Sequence, residues 1–217
     1  MILKKFLLLA VSGTAMLPAY SKGYISYDES FKSNGMDIRF SSNQCNAFLE
    51  KLYECKNTSI KILPIKQTLK LHTAWINLDY AVYNGKLDDK YADDKYSIVF
   101  SDINGDGVND LIIQTGKKGA YGGPSYNIYL YWKGKFIYNR PLSQLTVGAN
   151  SLFRANGNIL TVGKTSGCCK YNKFTYNLHN DAVQLVRKET EVCESSSNKC
   201  QFKSKNFYIL KIYSVTY

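Results

Sequence analysis

Short apolar runs recur along the chain at strand length, separated by turns rich in Gly, Asn and Asp. Ile98-Val-Phe100 and Leu111-Ile-Ile113 are continuous apolar runs on either side of one such turn. Tyr126 to Trp132 alternates, and Lys133-Gly134 then forms a tight turn into Lys135 to Tyr138. Further strands are expected at Met36 to Ser41, Ile159 to Val162, Lys173 to Leu178, Ala182 to Val186 and Phe207 to Val215, with mixed periodicity in residues 60–65 and 68–78. Short strands with period-two or continuous apolar character, bounded by turn residues, predict a mainly all-β fold with a β-propeller-like or β-sandwich core. No internal repeat is clear enough to count blades. One segment breaks the pattern. Cys45, Phe48, Leu49 and Leu52 fall at helical spacing within Gln44 to Glu54, which predicts a small N-terminal helix.

The chain ends divide the sequence further. Lys4 and Lys5 precede an apolar stretch that begins at Phe6, and Ala19-Tyr20-Ser21 places small residues where a leader peptidase cuts. Residues 1–21 therefore read as an export signal, 22–75 as an N-terminal segment packed on the core and opening with a loose lead-in, and 76–217 as the β domain. The apolar stretch is too short and too interrupted for a transmembrane helix, and no later window is long and apolar enough to span a membrane. The mature protein is expected to be periplasmic or secreted. Removing the two leader lysines lowers the formal charge from +11 to +9. That balance suits anionic polymers or acidic protein partners, while nucleic acid is disfavoured because no recognised motif accompanies the charge. The lysines are scattered along the sequence, as on a generally solvated surface. The 18 tyrosines favour β-structure and contact surfaces.

The chemistry concentrates in Asp102-Ile-Asn-Gly-Asp-Gly-Val-Asn-Asp110. Oxygen-bearing side chains at Asp102, Asn104, Asp106 and Asp110 have the alternate spacing of a calcium loop, with Gly107 where a side chain would obstruct the turn. Three Asp in nine residues would repel one another without a counter-ion. The twelfth position from Asp102, where an EF-hand places its bidentate Glu, is Ile113, and both flanks are strand-like. The expected cofactor is therefore Ca2+ clamping a β-hairpin, against the plain alternative of a metal-free Asn/Asp/Gly turn. Asp88, Asp89, Asp93 and Asp94 read as a solvated loop more readily than as a second ion site.

Six cysteines in an exported chain point to disulfides. Cys193 and Cys200 bracket a polar turn, the arrangement of a local hairpin bridge. Cys45 and Cys55 would be ~15 Å apart along a continuous helix, beyond the ~7 Å Cα limit for a bridge. Either that helix ends early, or one or both of the two pair elsewhere, with Cys168 and Cys169 the available partners. No zinc spacing accompanies His72 and His179.

Phe100-x-Asp-x-Asn-Gly-Asp-Gly-x-x-Asp-Leu111 resembles the calcium hairpin of FG-GAP (integrin-type) propeller repeats. Together with Gly119-Ala-Tyr-Gly-Gly123, Ser125-Tyr-Asn-x-Tyr-Leu-Tyr131 and Ser166-Gly-Cys-Cys169, it is similar to exported bacterial proteins that inhibit peptidoglycan hydrolases. Members of that family act as periplasmic immunity proteins against lysozyme-like effectors of antibacterial secretion systems. The resemblance spans roughly Ser97 to Leu178. It implies a propeller-like core, a structural calcium with the Val108 carbonyl added to the ligand set, and a loop that plugs a hydrolase cleft. On this chain the plug loop would be Gly119, Tyr121, Gly122 and Gly123. The family pairs its loop tyrosine with a lysine four residues on, whereas Ser125 stands at that spacing here. Tyr91/Lys95 and Tyr129/Lys133 keep the spacing in other contexts.

Three functional classes follow. The first is a calcium-stabilised inhibitor whose partner is a peptidoglycan hydrolase. The second is a calcium-dependent carbohydrate-binding or adhesive β-domain. The third, an enzyme, is disfavoured because two isolated His and no G-x-S-x-G leave no catalytic constellation.

Overall fold

The computed structural model describes residues 24–33, 35–86, 96–116, 124–149, 151–154, 159–165, 169–179, 182–193, 200–206 and 212–214. Their architecture is all-β in three open sheets. β1 (Ile25–Ser33), β2 (Met36–Leu49), β3 (Leu52–Ile62) and β4 (Gln67–Asn77) form an antiparallel meander. The central sheet has the order β5 (Val82–Asn84), β6 (Ile98–Ser101), β7 (Asp110–Gly116), β8 (Ser125–Trp132) and β9 (Lys135–Tyr138), with only the β5–β6 pair parallel. α1 (Arg140–Leu145) leads to the third sheet. That sheet comprises β10 (Ser151–Arg154), β11 (Ile159–Thr165), β12 (Lys170–His179), β13 (Ala182–Cys193) and β14 (Cys200–Asn206), with β15 (Ile212–Ser214) also paired to β13.

The sheets stack as layers, and the central one is covered on both sides. Ile98, Phe100, Leu111, Ile113, Tyr129 and Phe136 join the buried residues of the first sheet. Their strand neighbours Val99, Ile112, Ile128 and Leu130 join Leu160, Val162, Tyr176 and Leu178 of the third. This explains the pattern. A strand buried on one face alternates, whereas Ile98–Phe100 of β6 and Leu111–Ile113 of β7 are continuously apolar because both faces are dry there. Of the two expected architectures, the layered sandwich fits. Among the described residues no sheet closes into a barrel, and no closed ring of blades is seen.

Two expectations are corrected here. The N-terminal lead-in contains β1, which pairs with β2 from Ile25 to Ser33. The helix over 44–54 is absent, and the segment is the β2–β3 hairpin, with Glu50 and Lys51 at its turn. The 3–4 residue spacing arose because the chain reverses there: Leu52 is buried on β3, whereas Phe48 and Leu49 are exposed at the tip. Lys51 has φ +61°, a turn conformation that ends any helix. Cys45 and Cys55 sit directly opposite each other, with Cα atoms 4.0 Å apart, and form a disulfide buried in the core. Cys193 and Cys200 form the second disulfide, closing the β13–β14 hairpin.

The one helix among the described residues was not foreseen. Asn139 caps it by accepting from Leu142 N at 3.0 Å, and Pro141 occupies the first turn, where it removes no needed donor. Its hydroxyls finish an open strand edge. Ser143 Oγ accepts from Ile128 N at 2.8 Å and Thr146 Oγ1 from Tyr126 N at 3.0 Å, along the half of β8 that β9 does not reach. In the same way the Gln67 side chain accepts from Phe136 N and donates to Phe136 O, both at 2.8 Å, stitching the first sheet to β9.

Candidate metal centre

The Asp102–Asn109 turn joins β6 to β7, beyond the Ser101–Asp110 pair. Gly105 and Gly107 hold φ +81° and +89°. Nothing lies within 4 Å of a Cβ built on Gly107, so backbone conformation alone requires glycine there. The side chains hold the turn from inside. Asp102 accepts from Gly105 N at 2.6 Å and Gly107 N at 3.1 Å. Asn104 Oδ1 accepts from Asp106 N at 3.2 Å, and Asp106 Oδ1 accepts from Val108 N at 2.8 Å. Asn104 Nδ2 donates to Asp106 Oδ2 at 3.0 Å. Val108, whose carbonyl the resemblance adds, is exposed in the second half of the turn.

Asp110 differs from the others in being fully buried. Its Oδ2 accepts from Ile103 N at 3.0 Å and its Oδ1 from Tyr131 N at 2.9 Å, so one carboxylate joins the turn to β8. Burial pushes its pKa up to about 7 and the charge of Asp106 adds to this, against the backbone donors of Tyr131, Ile103 and Asn104. A divalent ion would relieve that like-charge contact and compensate the buried charge. The donors are all hard oxygens, which fits calcium, with Asp102, Asn104, Asp106 and Asp110 as the residues that would hold it. The three carboxylates do not all lie within 4.8 Å of one another. Among the described residues, the one trio of acidic, Cys or His groups that does is Glu191, Cys193 and Cys200, two of which are spent in a disulfide.

Topology separates the turn from the expected plug loop. Asp110 begins β7 at the turn, and Gly116, paired with Ser125, ends it. Six strand steps of about 3.3 Å place the two ends roughly 20 Å apart. Gly119, Tyr121, Gly122 and Gly123 lie outside the described residues, as do Tyr91, Lys95, Cys168 and the four aspartates of 88–94. The strands on either side of residues 117–123, β7 and β8, end and begin at Gly116 and Ser125, away from the Asp110 end of the sheet. At the same end of the sheet as the turn is the β8–β9 tip, where Trp132 is exposed and Lys133 Nζ lies 5.4 Å from its ring. Sequence reasoning also missed Asn109 and Asn84, whose side chains meet at 2.6 Å and tie β5 to the turn. Twenty-five residues of separation leave no local signal for that pair. His72 is exposed on β4 and His179 ends β12 in a different sheet.

Fold and turn together define a three-layer all-β protein, disulfide-bonded, with an oxygen-donor turn in its middle sheet. No helix among the described residues is long and apolar enough to cross a membrane. The chain matches no family model and no curated protein. It is similar to a solved structure, a Xanthomonas type IV secretion system related protein. The two share 29% sequence identity with a TM-score of 0.71, over 91% of this chain and 95% of that one.

Proposed function

We propose that this is an exported, secretion-system-associated binding protein, stabilised by calcium, that inhibits a peptidoglycan hydrolase of the lysozyme type. The observation that carries the proposal is the oxygen-donor turn set on a fold shared with a secretion-system-related protein at 29% identity. The leader-like N-terminus and two disulfides support export to an oxidising compartment. The partner's cleft would hold two carboxyl groups flanking a sugar bond. A tyrosine at the tip of a glycine-rich loop is suited to such a cleft, because its ring fills a sugar subsite while its hydroxyl bonds to an acid. In this scheme Tyr121, with Gly119, Gly122 and Gly123, makes the contact, and the protein performs no catalysis itself.

The role of calcium is to hold the β6–β7 hairpin at the other end of the middle sheet, so it acts on stability and not on the loop directly. The test is inhibition of a lysozyme-like hydrolase by the purified mature chain, with calcium and with chelator, alongside Tyr121→Ala. Inhibition that falls at least tenfold in Tyr121→Ala, at unchanged thermal stability, is the expected result. A full panel of hydrolases left uninhibited refutes the proposal. Retention on peptidoglycan or chitin-type glycans without any enzyme inhibition would establish the carbohydrate-binding alternative, which the exposed Trp132 beside the metal turn favours.

A further inference from the structure

The lysines that look scattered in sequence are gathered on one side of the third sheet. Cross-strand pairing places Phe174, Lys188 and Lys205 on one rung, Asn172, Thr190 and Lys203 on the next, and Lys170, Val192 and Gln201 on the one after. Lys164 of β11 pairs with Asn172 and joins the same side. Two contacts confirm the facing. Lys188 Nζ lies 5.4 Å from the Phe174 ring, and Thr190 Oγ1 donates to Asn172 Oδ1 at 3.0 Å.

This side is the outward continuation of the face that Leu160, Val162 and Tyr176 bury in the core. Lys170, Lys188, Lys203 and Lys205 therefore share it with Lys164, whose Nζ donates to Val147 O at 3.0 Å, and among the described residues of β11 to β14 no carboxylate does. The opposite side of the same strands is balanced. Lys173 stands across from Glu189, Arg187 pairs with Glu189 at 2.8 Å, and Glu191 follows two residues later. An ordinary solvated surface mixes its signs, as that side does, so segregation to one side calls for an anionic counterpart.

We propose that this lysine face docks the acidic surface of a protein partner. A protein is favoured over a membrane or polysaccharide because the lysines stand on a pre-formed ledge, its outer hairpin closed by the Cys193–Cys200 disulfide. Half-buried Phe174 and exposed Val192 are interspersed among them. A pre-formed strand backbone presents charges and apolar spots in a fixed order to a fixed surface, and the backbone's ordering cost is already met in the free protein. The proposal concerns a surface distinct from the metal turn and does not depend on calcium.

The test uses the full mature chain and a fluorescent oligoglutamate peptide, read by anisotropy at low salt. The face variant is Lys188→Glu/Lys203→Glu/Lys205→Glu. Its charge-matched control is Lys61→Glu/Lys66→Glu/Lys70→Glu, at exposed positions of β3, the β3–β4 turn and β4. The face variant should weaken binding by about tenfold to a hundredfold, the control by less than about threefold, and added salt should erode binding of the wild type. Equal losses in both variants would mean that net charge alone is read, which overturns the proposal. So would a wild-type chain that ignores the peptide, or one that binds phosphatidylglycerol vesicles while the peptide does not compete. Should the face variant lose its native urea midpoint, Lys188→Gln/Lys203→Gln/Lys205→Gln replaces it with the same expected direction.

Discussion

Truncating Asp110 to Ala isolates the one carboxylate that belongs both to the turn and to the core. The side chain is fully buried and accepts from Ile103 N at 3.0 Å and Tyr131 N at 2.9 Å. Alanine leaves both donors facing a dry interior, and each orphaned group costs ~1–3 kcal/mol. Against this, the variant no longer desolvates a carboxylate whose pKa burial has raised to about 7. The net expected loss is ~2–4 kcal/mol. Asp110→Asn keeps one acceptor and should lose about half as much. The assay is urea unfolding in the presence of a chelator, so that metal binding contributes nothing and the hydrogen bonds are read alone. Asp106→Ala is the internal control, because its bonds stay within the exposed turn, and its loss should stay below ~1 kcal/mol. If Asp110→Ala unfolds within ~0.5 kcal/mol of the wild type under these conditions, the claim that this carboxylate ties the turn to β8 is wrong.

Calcium at about a hundred times its dissociation constant should add ~2.7 kcal/mol, seen as a rise in melting temperature that Asp102→Ala and Asp106→Ala abolish. No shift in the wild type would remove the ion from the scheme. Replacing Cys45 and Cys55 together by Ala should cost ~3 kcal/mol, because the bridge closes a ten-residue separation inside the core. The same change at Cys193 and Cys200 should lower the global midpoint less, since every residue of β14 is exposed; matched denaturation curves compare the two. Gly134→Ala should destabilise by ~1 kcal/mol through its φ of +84° alone, as nothing lies within 4 Å of the added methyl. A chemical-denaturation midpoint unchanged by that substitution would contradict the left-handed turn.

The outer parts of the molecule were the hardest to foresee. Residues 44–54 carry helical spacing, yet they form a hairpin because β4 supplies a partner for β3 and a disulfide fixes the register. Helix α1 is six residues long and has one buried apolar side chain, too short for any periodicity to declare itself. Its hydroxyls matter only because β8 runs past the end of β9, a fact no local window contains. The five lysines of the third sheet have no sequence pattern of their own, since β11 to β14 are brought together by pairings as far apart as Lys170 and Val192.

The sequence by itself determined the β character, the turn and its donor chemistry. Short continuous apolar runs bounded by Gly, Asn and Asp turns point to strands dry on both faces, and alternate oxygens around glycines at positive φ are a local matter settled within nine residues. Only the tertiary structure decided which strands share a sheet, which cysteines meet, and that Asn84 of β5 lies against the turn. Those depend on contacts between segments far apart in the chain, where the free energy belongs to the assembled layers and no single stretch encodes it.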